Sequence, residues 1–114
     1  MKAIDGGVTA PKGFFAAGLH TGIKPEKKDM AMVYSQVPCR GAGVFTTNLV
    51  KAAPVKWDKL VAEKSDFVQA VVINSGVANA CTGEEGYQYC KDMAEKTGCV
   101  LGVPTDSVFV ARCV

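Results

Sequence analysis

The sequence predicts an α/β fold in which strands and helices pack in layers, and three observations support that class. The run Phe67–Ile73 is apolar on both faces of a strand, as expected of a central strand that is covered on both sides. A second such run lies at Ser107–Ala111, and a helical pattern separates the two. With 114 residues, of which 48% are hydrophobic, the chain provides at most one domain with a core of ordinary size.

The N-terminal half predicts extended structure and two strands. Gly6–Gly22 is rich in glycine, alanine and proline, which indicates an extended, turning segment. The stretch Lys24–Asp29 carries both lysines and acids, so we expect a solvated loop. Met30–Val37 has strand character, and the β-branched and aromatic run Val44–Asn48 predicts a second strand. We expect a hairpin-like turn at Gly41–Gly43 to join these two strands.

Two helices are expected in the C-terminal half. Pro54 suits the first turn of a helix, because its missing N–H would have no partner within the helix there. The apolar residues that follow favour a helix through about Glu63. Thr82 and Glu85 have the spacing of a capping box, which predicts a second helix that ends at Gly98.

The most informative stretch is Asn74–Gly83, which follows the central strand, is dense in small residues and opens the second helix. Small side chains let backbone N–H groups approach a ligand, and a helix N-terminus favours carboxylates or oxyanions. The residues expected to shape such a site are Asn74, Ser75, Gly76, Asn79, Thr82 and Gly83. The alternative is that the same residues only make the turns between a strand and a helix.

Composition excludes several other classes of function. The net charge of +2 is small and the lysines are scattered, so we expect no nucleic-acid partner. No apolar run approaches the ~18 residues of a membrane helix, and the N-terminus lacks the apolar stretch of a signal peptide, which predicts a cytoplasmic protein without a membrane partner.

The cysteines and the other candidate motifs point to no metal and no cofactor. The five cysteines form no Cys-x-x-Cys pair, which favours reduced thiols over disulfides or a zinc site, and we expect Cys81, Cys90 and Cys99 to be small buried side chains. Gly13 and Gly18 have the separation of a phosphate-binding loop, but Leu19 and His20 stand where that loop needs lysine and a hydroxyl residue. His20 is the only histidine, and we expect it to be a loop residue rather than a catalytic base.

Three segments carry a resemblance to a known family: Gly6–Lys24 (GGVTAPKGFFAAGLHTGIK), Ala42–Trp57 (AGVFTTNLVKAAPVKW) and Ala70–Gly83 (AVVINSGVANACTG). In content and order they resemble the N-terminal region of the ornithine acetyltransferases, or glutamate N-acetyltransferases, of the ArgJ family. The resemblance implies a DmpA/ArgJ-like layered α/β sandwich. It also implies that residues 1–114 are a single incomplete domain, the N-terminal part of the α chain.

The resemblance also implies an activity and partners. Members of the family are precursors that cleave themselves before an internal threonine to give α and β chains. That threonine takes acetyl from N2-acetylornithine and passes it to glutamate in arginine biosynthesis, with its own amine as the base, which predicts ping-pong kinetics. The expected partners are therefore the remainder of the precursor or β chain and the two small-molecule substrates, and we expect an oligomer.

The chain departs from the family pattern at two places. Val77 replaces the middle asparagine of the family loop Asn-Ser-Gly-Asn-Ala-Asn-Ala. Cys113 and Val114 occupy the positions of the Thr-Gly pair that forms the family's oxyanion hole. Because neither this pair nor the nucleophilic threonine is matched, we expect the chain alone to be inactive. The alternatives are a truncated, non-catalytic binding or assembly module that pairs through its exposed C-terminal strand, or a chain that does not fold stably by itself.

Overall fold

The computed structural model describes residues 1–22, 25–75 and 83–113, and of Cys113 the backbone only. Its elements in chain order are β1 (Phe14–Leu19), β2 (Met30–Cys39), α1 (Ala53–Lys64), β3 (Val68–Ser75), α2 (Gly83–Leu101) and β4 (Val108–Cys113). A 3₁₀ turn at Thr105–Ser107 leads into β4. These elements confirm the predicted α/β class.

The four strands form one mixed sheet in the order β1-β2-β3-β4. The pairs β1–β2 and β2–β3 are antiparallel, whereas β3 and β4 run parallel and are connected through α2. A parallel pair needs such a crossover connection, because its strands enter the sheet from the same side. The sequence prediction of a central strand at Phe67–Ile73 is confirmed, since β3 has a neighbouring strand on each side. The expected cover on both faces is not seen among the described residues, because every second residue of β3 is only half-buried.

Both helices pack on one face of the sheet. Burial along β3 alternates strictly, and its buried positions face the helices, as a half-covered strand requires. Trp57 of α1 is the largest core side chain, and its ring lies 6.0 Å from that of Tyr87 of α2 in an edge-to-face arrangement. The buried hydrophobic residues that form this single core are Ala53, Trp57, Val61, Val68, Ala70, Val72, Cys90, Met93, Ala94, Val108 and Val110.

Helix α1 begins and ends as the sequence predicts. Pro54 lies in its first turn, after an extended Ala52. At the other end the N–H of Ser65 donates to the carbonyl of Val61 at 2.9 Å. The Ser65 hydroxyl donates to the carbonyl of Asp106 at 2.6 Å, which fixes the end of α1 against the turn before β4.

Helix α2 does not end at Gly98, and that prediction is wrong. The helix continues to Leu101, and Gly102 then takes a positive φ of 71°, the backbone conformation that commonly follows a helix. Gly98 is buried, and a Cβ placed on it would lie 2.6 Å from the carbonyl oxygen of Val103. The glycine is therefore explained by the close approach of the chain after the helix. Thr82, the expected cap, lies outside the described residues.

The N-terminal half differs from the prediction in three places. Part of the turning segment Gly6–Gly22 is strand β1. The run Val44–Asn48 forms no strand, because both edges of β2 are already occupied by β1 and β3, so a hairpin partner has no place to pair. In the loop expected to be solvated, residues 25–28 are exposed but Asp29 is only 1% exposed.

The outer edge of β4 is closed by α1 over part of its length. The indole Nε1 of Trp57 donates to the carbonyl of Val108 at 2.9 Å. The N–H of Val110 donates to the Asp58 carboxylate at 2.8 Å. Side chains of α1 thus take the hydrogen-bonding places of a further strand, and the expectation of an exposed final strand is wrong over Val108–Val110.

Candidate functional site

The carboxyl ends of β3 and β4 lie side by side, because the two strands are parallel. Asn74 is in register with Arg112, and Ser75 with Cys113. Ligands of open α/β sheets bind outside the carboxyl ends of the strands. β3 ends at Ser75, the second residue of the small-residue stretch, and α2 begins at Gly83, its last residue, which has a φ of 59°.

The structure thus brings two predicted site residues, Asn74 and Ser75, to the same edge as the Cys113 backbone. The other expected residues, Gly76, Asn79, Thr82 and Val114, lie outside the described residues, as does the side chain of Cys113. Their role in a site stays a prediction.

Asn74 anchors the end of β3 with its side chain turned towards the helices. It is 2% exposed, and its Oδ1 accepts a hydrogen bond from Nε of Arg112 at 3.3 Å. Its Nδ2 lies 3.8 Å from Sδ of Met93, a weak acceptor. Because both ends of the amide face protein groups, Asn74 is placed to hold the start of the loop.

Asp29 and Thr21 hold Ser75 from the other side of the site. The N–H of Ser75 donates to the carbonyl of Asp29 at 2.8 Å, and the N–H of Asp29 donates to the carbonyl of Leu19 at 3.0 Å. The Asp29 carboxylate accepts from the backbone N–H and the hydroxyl of Thr21, at 2.7 and 2.6 Å. This network ties the end of β1, the start of β2 and the end of β3 together.

The sequence prediction missed this network. Its one local signal is that Asp29 directly precedes a strand, where a carboxylate can accept hydrogen bonds that the strand does not satisfy.

Arg112 and Tyr89 form the helix-side wall of the site. The guanidinium carbon of Arg112 lies 4.5 Å from the centroid of the Tyr89 ring, a cation–π arrangement. With the hydrogen bond to Asn74, this stacking gives the guanidinium a defined position beside the strand ends. Sequence reasoning missed the pair, because the two residues meet only through the crossover from α2 to β4.

Burial shifts the pKa of two titratable groups near this wall, Asp58 and Cys90. Burial raises the pKa of Asp58 from the ordinary 3.8 to about 6, and the hydrogen bond from Val110 partly offsets that shift. Burial also raises the pKa of the Cys90 thiol, an effect that Arg112 opposes and Asp58 reinforces. Cys90 is fully buried, so it is a neutral core thiol and not a candidate nucleophile.

A cavity of about 290 Å³ lies beside the wall. It is lined by Met30, Tyr89, Asp92, Met93, Lys96 and Thr97. Methionine side chains from β2 and α2 provide its apolar part, and Asp92 and Lys96 place opposite charges around it.

Within the described ranges, no three histidine, cysteine or acidic side chains lie close enough together to hold a metal ion. Cys39, Cys90 and Cys99 are free thiols. The prediction of buried cysteines is right for Cys90 and wrong for Cys99, which is exposed; Cys81 lies outside the described residues. In the same part of the chain, each helix is too short or too polar to cross a membrane.

Comparison with known proteins gives a consistent result. The model of the ArgJ family matches residues 15–113. The arginine biosynthesis bifunctional protein ArgJ of Thermotoga neapolitana is 50% identical over 102 residues, which cover 89% of this chain and 26% of that protein. The protein of the same name from Caldanaerobacter subterraneus is 50% identical over 110 residues, or 96% of this chain and 27% of that protein.

Two solved structures share the fold. The crystal structure of ArgJ from Bacillus halodurans superposes with a TM-score of 0.89 at 38% identity, and the match covers 96% of this chain and 58% of that one. Ornithine acetyltransferase from Mycobacterium tuberculosis, solved in complex with ornithine, gives a TM-score of 0.88 at 42% identity, with 95% and 59% covered.

The chain spans about a quarter of the length of the curated relatives it matches. This chain belongs to the ArgJ family, of which it represents an N-terminal portion.

Proposed function

We propose that this chain is the N-terminal part of the α chain of an acyltransferase that moves acetyl from N2-acetylornithine to glutamate. The observation that carries the proposal is the family match over residues 15–113. The ornithine bound in the Mycobacterium tuberculosis relative agrees with the proposed substrate class. The segment AVVINSGVANACTG, one of the three that carry the resemblance, starts in β3, and that strand ends at Ser75, in register with Cys113 of β4.

The proposed reaction is two successive acyl transfers. A threonine hydroxyl, contributed by polypeptide outside these residues, attacks the acetyl carbonyl and loses its proton to the threonine amine. The carbonyl oxygen carries negative charge until the bond to the ornithine nitrogen breaks and that nitrogen takes the proton. The glutamate amine then attacks the acetyl ester in the same way, releasing N-acetylglutamate and restoring the hydroxyl.

The proposed contribution of this chain is to position donors for that negative charge. Hydrogen-bond donors at the end of β4 would face the oxyanion, where Cys113 and Val114 replace the family's Thr-Gly pair; cysteine offers a weak S–H donor in place of a hydroxyl, and valine restricts the backbone that a glycine leaves free. The Asp29 network and the Asn74–Arg112 pair hold the two strand ends in place from either side. Removal of one oxyanion donor lowers the rate by about 10²–10³ in a well-studied protease, so these two replacements bear directly on activity.

The proposed partner is the remainder of the precursor, and the face of the sheet away from the helices supports it. Val33, Val71 and Phe109 lie on this face and line an apolar cavity of about 200 Å³. Val44 and Leu49, in the connection before α1, are fully exposed at 102% and 100%. Apolar surface of this kind is typical of an interface with further polypeptide.

The test is reconstitution of a split enzyme. The chain is produced alone and together with the part of the Thermotoga neapolitana relative that follows the matched region. We expect acetyl transfer from N2-acetylornithine to glutamate only in the mixture, and turnover by the chain alone would refute the assignment of the nucleophile to other polypeptide. The matched control is the same mixture with the nucleophilic threonine of the relative replaced by alanine.

A second experiment tests the two oxyanion positions in the reconstituted enzyme. The double variant Cys113→Thr, Val114→Gly restores the family pair, and we expect a gain in kcat of about 10²-fold with little change in KM. Val77→Asn, which restores the family loop without changing the strand end, is the control. An unchanged kcat in the double variant would show that these positions do not form the oxyanion hole.

A non-catalytic module that pairs through β4 is less well supported. The side chains of Trp57 and Asp58 already form hydrogen bonds with the backbone of Val108 and Val110 on the outer edge of that strand. A pairing strand would have to displace both side chains, one of which is a buried indole.

A further inference from the structure

Arg112 lies where the end of β4 meets both the helix layer and the end of β3. Val108 and Val110 belong to the core beneath the helices and are fully buried, so the alternation of a strand places Arg112 on that same side. Across the parallel pair, Arg112 is in register with Asn74. The next residue is Cys113, the first of the two positions that replace the family's oxyanion pair. Arg112 thus stands directly before the positions to which the oxyanion is assigned.

Two contacts from other elements fix the guanidinium of Arg112. Its Nε donates to Oδ1 of Asn74 in β3 at 3.3 Å. Its carbon Cζ lies 4.5 Å from the centroid of the Tyr89 ring in α2, which contacts the face of the guanidinium plane. A long side chain keeps one position only when its contacts offset the loss of rotamer freedom, and these two contacts act in different directions. The positive charge of Arg112 therefore has a defined place.

The hydrogen bond from Arg112 also sets the orientation of the Asn74 amide. Arginine can only donate, so the amide oxygen faces Arg112 and the amide nitrogen faces Sδ of Met93, 3.8 Å away. A thioether is a weak acceptor, whereas a hydrogen bond from a charged donor is strong. Since Asn74 is only 2% exposed, little of the amide is open to competing water. Arg112 therefore holds the residue with which the small-residue stretch begins.

The charge of Arg112 acts on neighbouring anions. A guanidinium stays protonated in proteins, and Arg112 is half-buried, where water screens a charge less than it does at the surface. Arg112 opposes the rise in the pKa of the Cys90 thiol that burial causes. A charge that favours a thiolate favours other anions near the strand ends for the same reason, and an oxyanion is such a group.

We propose that Arg112 is a positioning residue of the acyl-transfer site, which holds the start of the small-residue stretch through Asn74 and favours the oxyanion through its fixed positive charge. This inference rests on the function proposed above. It includes no bond between Arg112 and the substrate. The cation acts on charge that develops during the reaction, so it stabilises the transition state more than the bound substrate, whose acetyl carbonyl is neutral.

Such a residue has a particular use in this chain. Cys113 offers a weak S–H donor and Val114 a restricted backbone at the positions of the Thr-Gly pair, so the local donors are poorer than in the family. A fixed cation acts over a distance and needs no hydrogen bond to the oxyanion. At about 8 Å and an effective dielectric constant of about 20, one elementary charge changes a rate by about thirtyfold. Arg112 therefore offsets part of the loss at those two positions.

The kinetic test uses the reconstituted mixture of this chain and the following part of the Thermotoga neapolitana relative. Arg112→Met keeps the hydrocarbon stem and removes the charge, so we expect kcat to fall at least about tenfold with KM within about twofold of wild type. Arg112→Lys keeps the charge and should recover most of the lost rate. Lys91→Met, which removes a positive charge from an exposed position of α2, is the matched control and should leave kcat unchanged.

Chemical rescue separates the charge from a structural role. In Arg112→Ala the side chain is absent, and added methylguanidinium can take its place between Tyr89 and Asn74. We expect the kcat of this variant to rise with the concentration of methylguanidinium, while wild type and Lys91→Ala do not respond. When Tyr89→Leu is added to Arg112→Ala, the rescue should need more methylguanidinium, because the ring that holds the cation is gone.

A measurement on the chain alone does not depend on acetyl transfer. The side-chain amide resonances of Asn74 are followed by NMR in wild type, Arg112→Met and Lys91→Met. We expect Arg112→Met to shift these resonances and to speed the exchange of the amide protons at least about tenfold, because the hydrogen bond that orients the group is lost. Lys91→Met should match wild type.

The outcomes separate this inference from the function on which it rests. A wild-type mixture without acetyl transfer refutes the proposed function, and the Asn74 resonances then still decide whether Arg112 holds the amide. In an active mixture, three results would overturn the role of the charge: an unchanged kcat in Arg112→Met, equal losses in Arg112→Met and Arg112→Lys, or no response to methylguanidinium. Unchanged Asn74 resonances in Arg112→Met would overturn the positioning of the amide.

Discussion

The two edges of the sheet are finished in different ways. At β4, Val108 and Val110 are fully buried and their outward backbone groups bond to side chains of α1. At β1, the burial pattern shows four exposed residues out of six. The carbonyls of Gly13 and Leu19 accept hydrogen bonds from the β2 side, so the backbone groups of Ala16 and Gly18 point outward. The β4 edge of the sheet is therefore buried in the core, whereas the β1 edge is exposed to solvent.

The difference shows how a helix can complete an edge without a further strand. Trp57 and Asp58 are adjacent in the sequence, and one donates while the other accepts, so together they satisfy both kinds of backbone group that an edge strand presents. This arrangement needs a helix beside the strand, and α1 packs against β4, the strand that it closes. The candidate site lies at the carboxyl ends of β3 and β4, on the side of the sheet where α1 closes the edge.

Amide exchange gives the largest expected difference between the two edges. We expect the Val110 amide, bonded to Asp58 in a fully buried residue, to exchange more than about a thousandfold more slowly than the Ala16 amide. The measurement is hydrogen exchange by NMR at a concentration where the chain is monomeric. Equal protection at both positions would show that the edges do not differ.

Removal of the Trp57 side chain should open the protected edge. Trp57→Ala deletes a buried ring and its bond to the Val108 carbonyl, with an expected loss of about 3–5 kcal/mol in the free energy of unfolding. Trp57→Phe keeps an aromatic ring next to Tyr87 but loses the N–H, so it should cost about 1–3 kcal/mol. Urea denaturation measures both, and a loss below about 1 kcal/mol in the alanine variant would contradict the account.

The Asp29 network is the one polar anchor that we find at the β1 side of the candidate site among the described residues. Asp29→Ala removes the buried carboxylate that accepts both hydrogen bonds from Thr21, so we expect a loss of about 2 kcal/mol. Thr21→Val, which removes only the hydroxyl, is the control and should cost about 1 kcal/mol. If both variants unfold at the wild-type urea concentration, the network does not stabilise the fold.

Asp58 gives the smallest expected effect, with a characteristic pH dependence. Its pKa is raised from 3.8 to about 6, so the folded state binds the proton more readily than the unfolded state. The carboxylate therefore lowers stability above pH 6, and this cost disappears as the pH falls from about 6 towards 4. Asp58→Asn keeps an acceptor for Val110 and should be more stable at pH 7.5 by about 1 kcal/mol, after allowance for solvent screening of a half-exposed group.

The measurement for Asp58→Asn is the unfolding free energy at pH 7.5 and pH 4.0. We expect the difference from wild type to vanish at the lower pH. A variant that is less stable than wild type at pH 7.5 would mean that the charge itself strengthens the bond to Val110, which contradicts the assigned sign.

Elements with a strong local pattern were predictable from the sequence. Val68–Ser75 and Val108–Cys113 have apolar residues on both faces, and each is a strand of the parallel pair. Pro54 marked the start of α1 through a constraint that belongs to proline alone. The family resemblance likewise rested on residues that are contiguous in the chain.

Elements that depend on a neighbour were not predictable in the same way. The run Val44–Asn48 has the composition of a strand, but both edges of β2 are taken, so it stays irregular. The composition of Phe14–Leu19 is poor for a strand, and pairing with β2 alone makes it one. Gly98 resembles a helix end, yet it lies inside α2, where the close approach of the Val103 carbonyl leaves no room for a side chain.

The sequence by itself determined the fold class, the central strand, the first helix and the family, because each is encoded in the spacing of nearby residues. Only the tertiary structure decided that Asp29 meets Ser75, that Arg112 stacks on Tyr89 and that Trp57 closes one edge of the sheet. Those contacts join residues far apart in the chain. Which residues meet depends on the order of strands in the sheet and on the side on which the helices pack, and a local sequence pattern predicts neither.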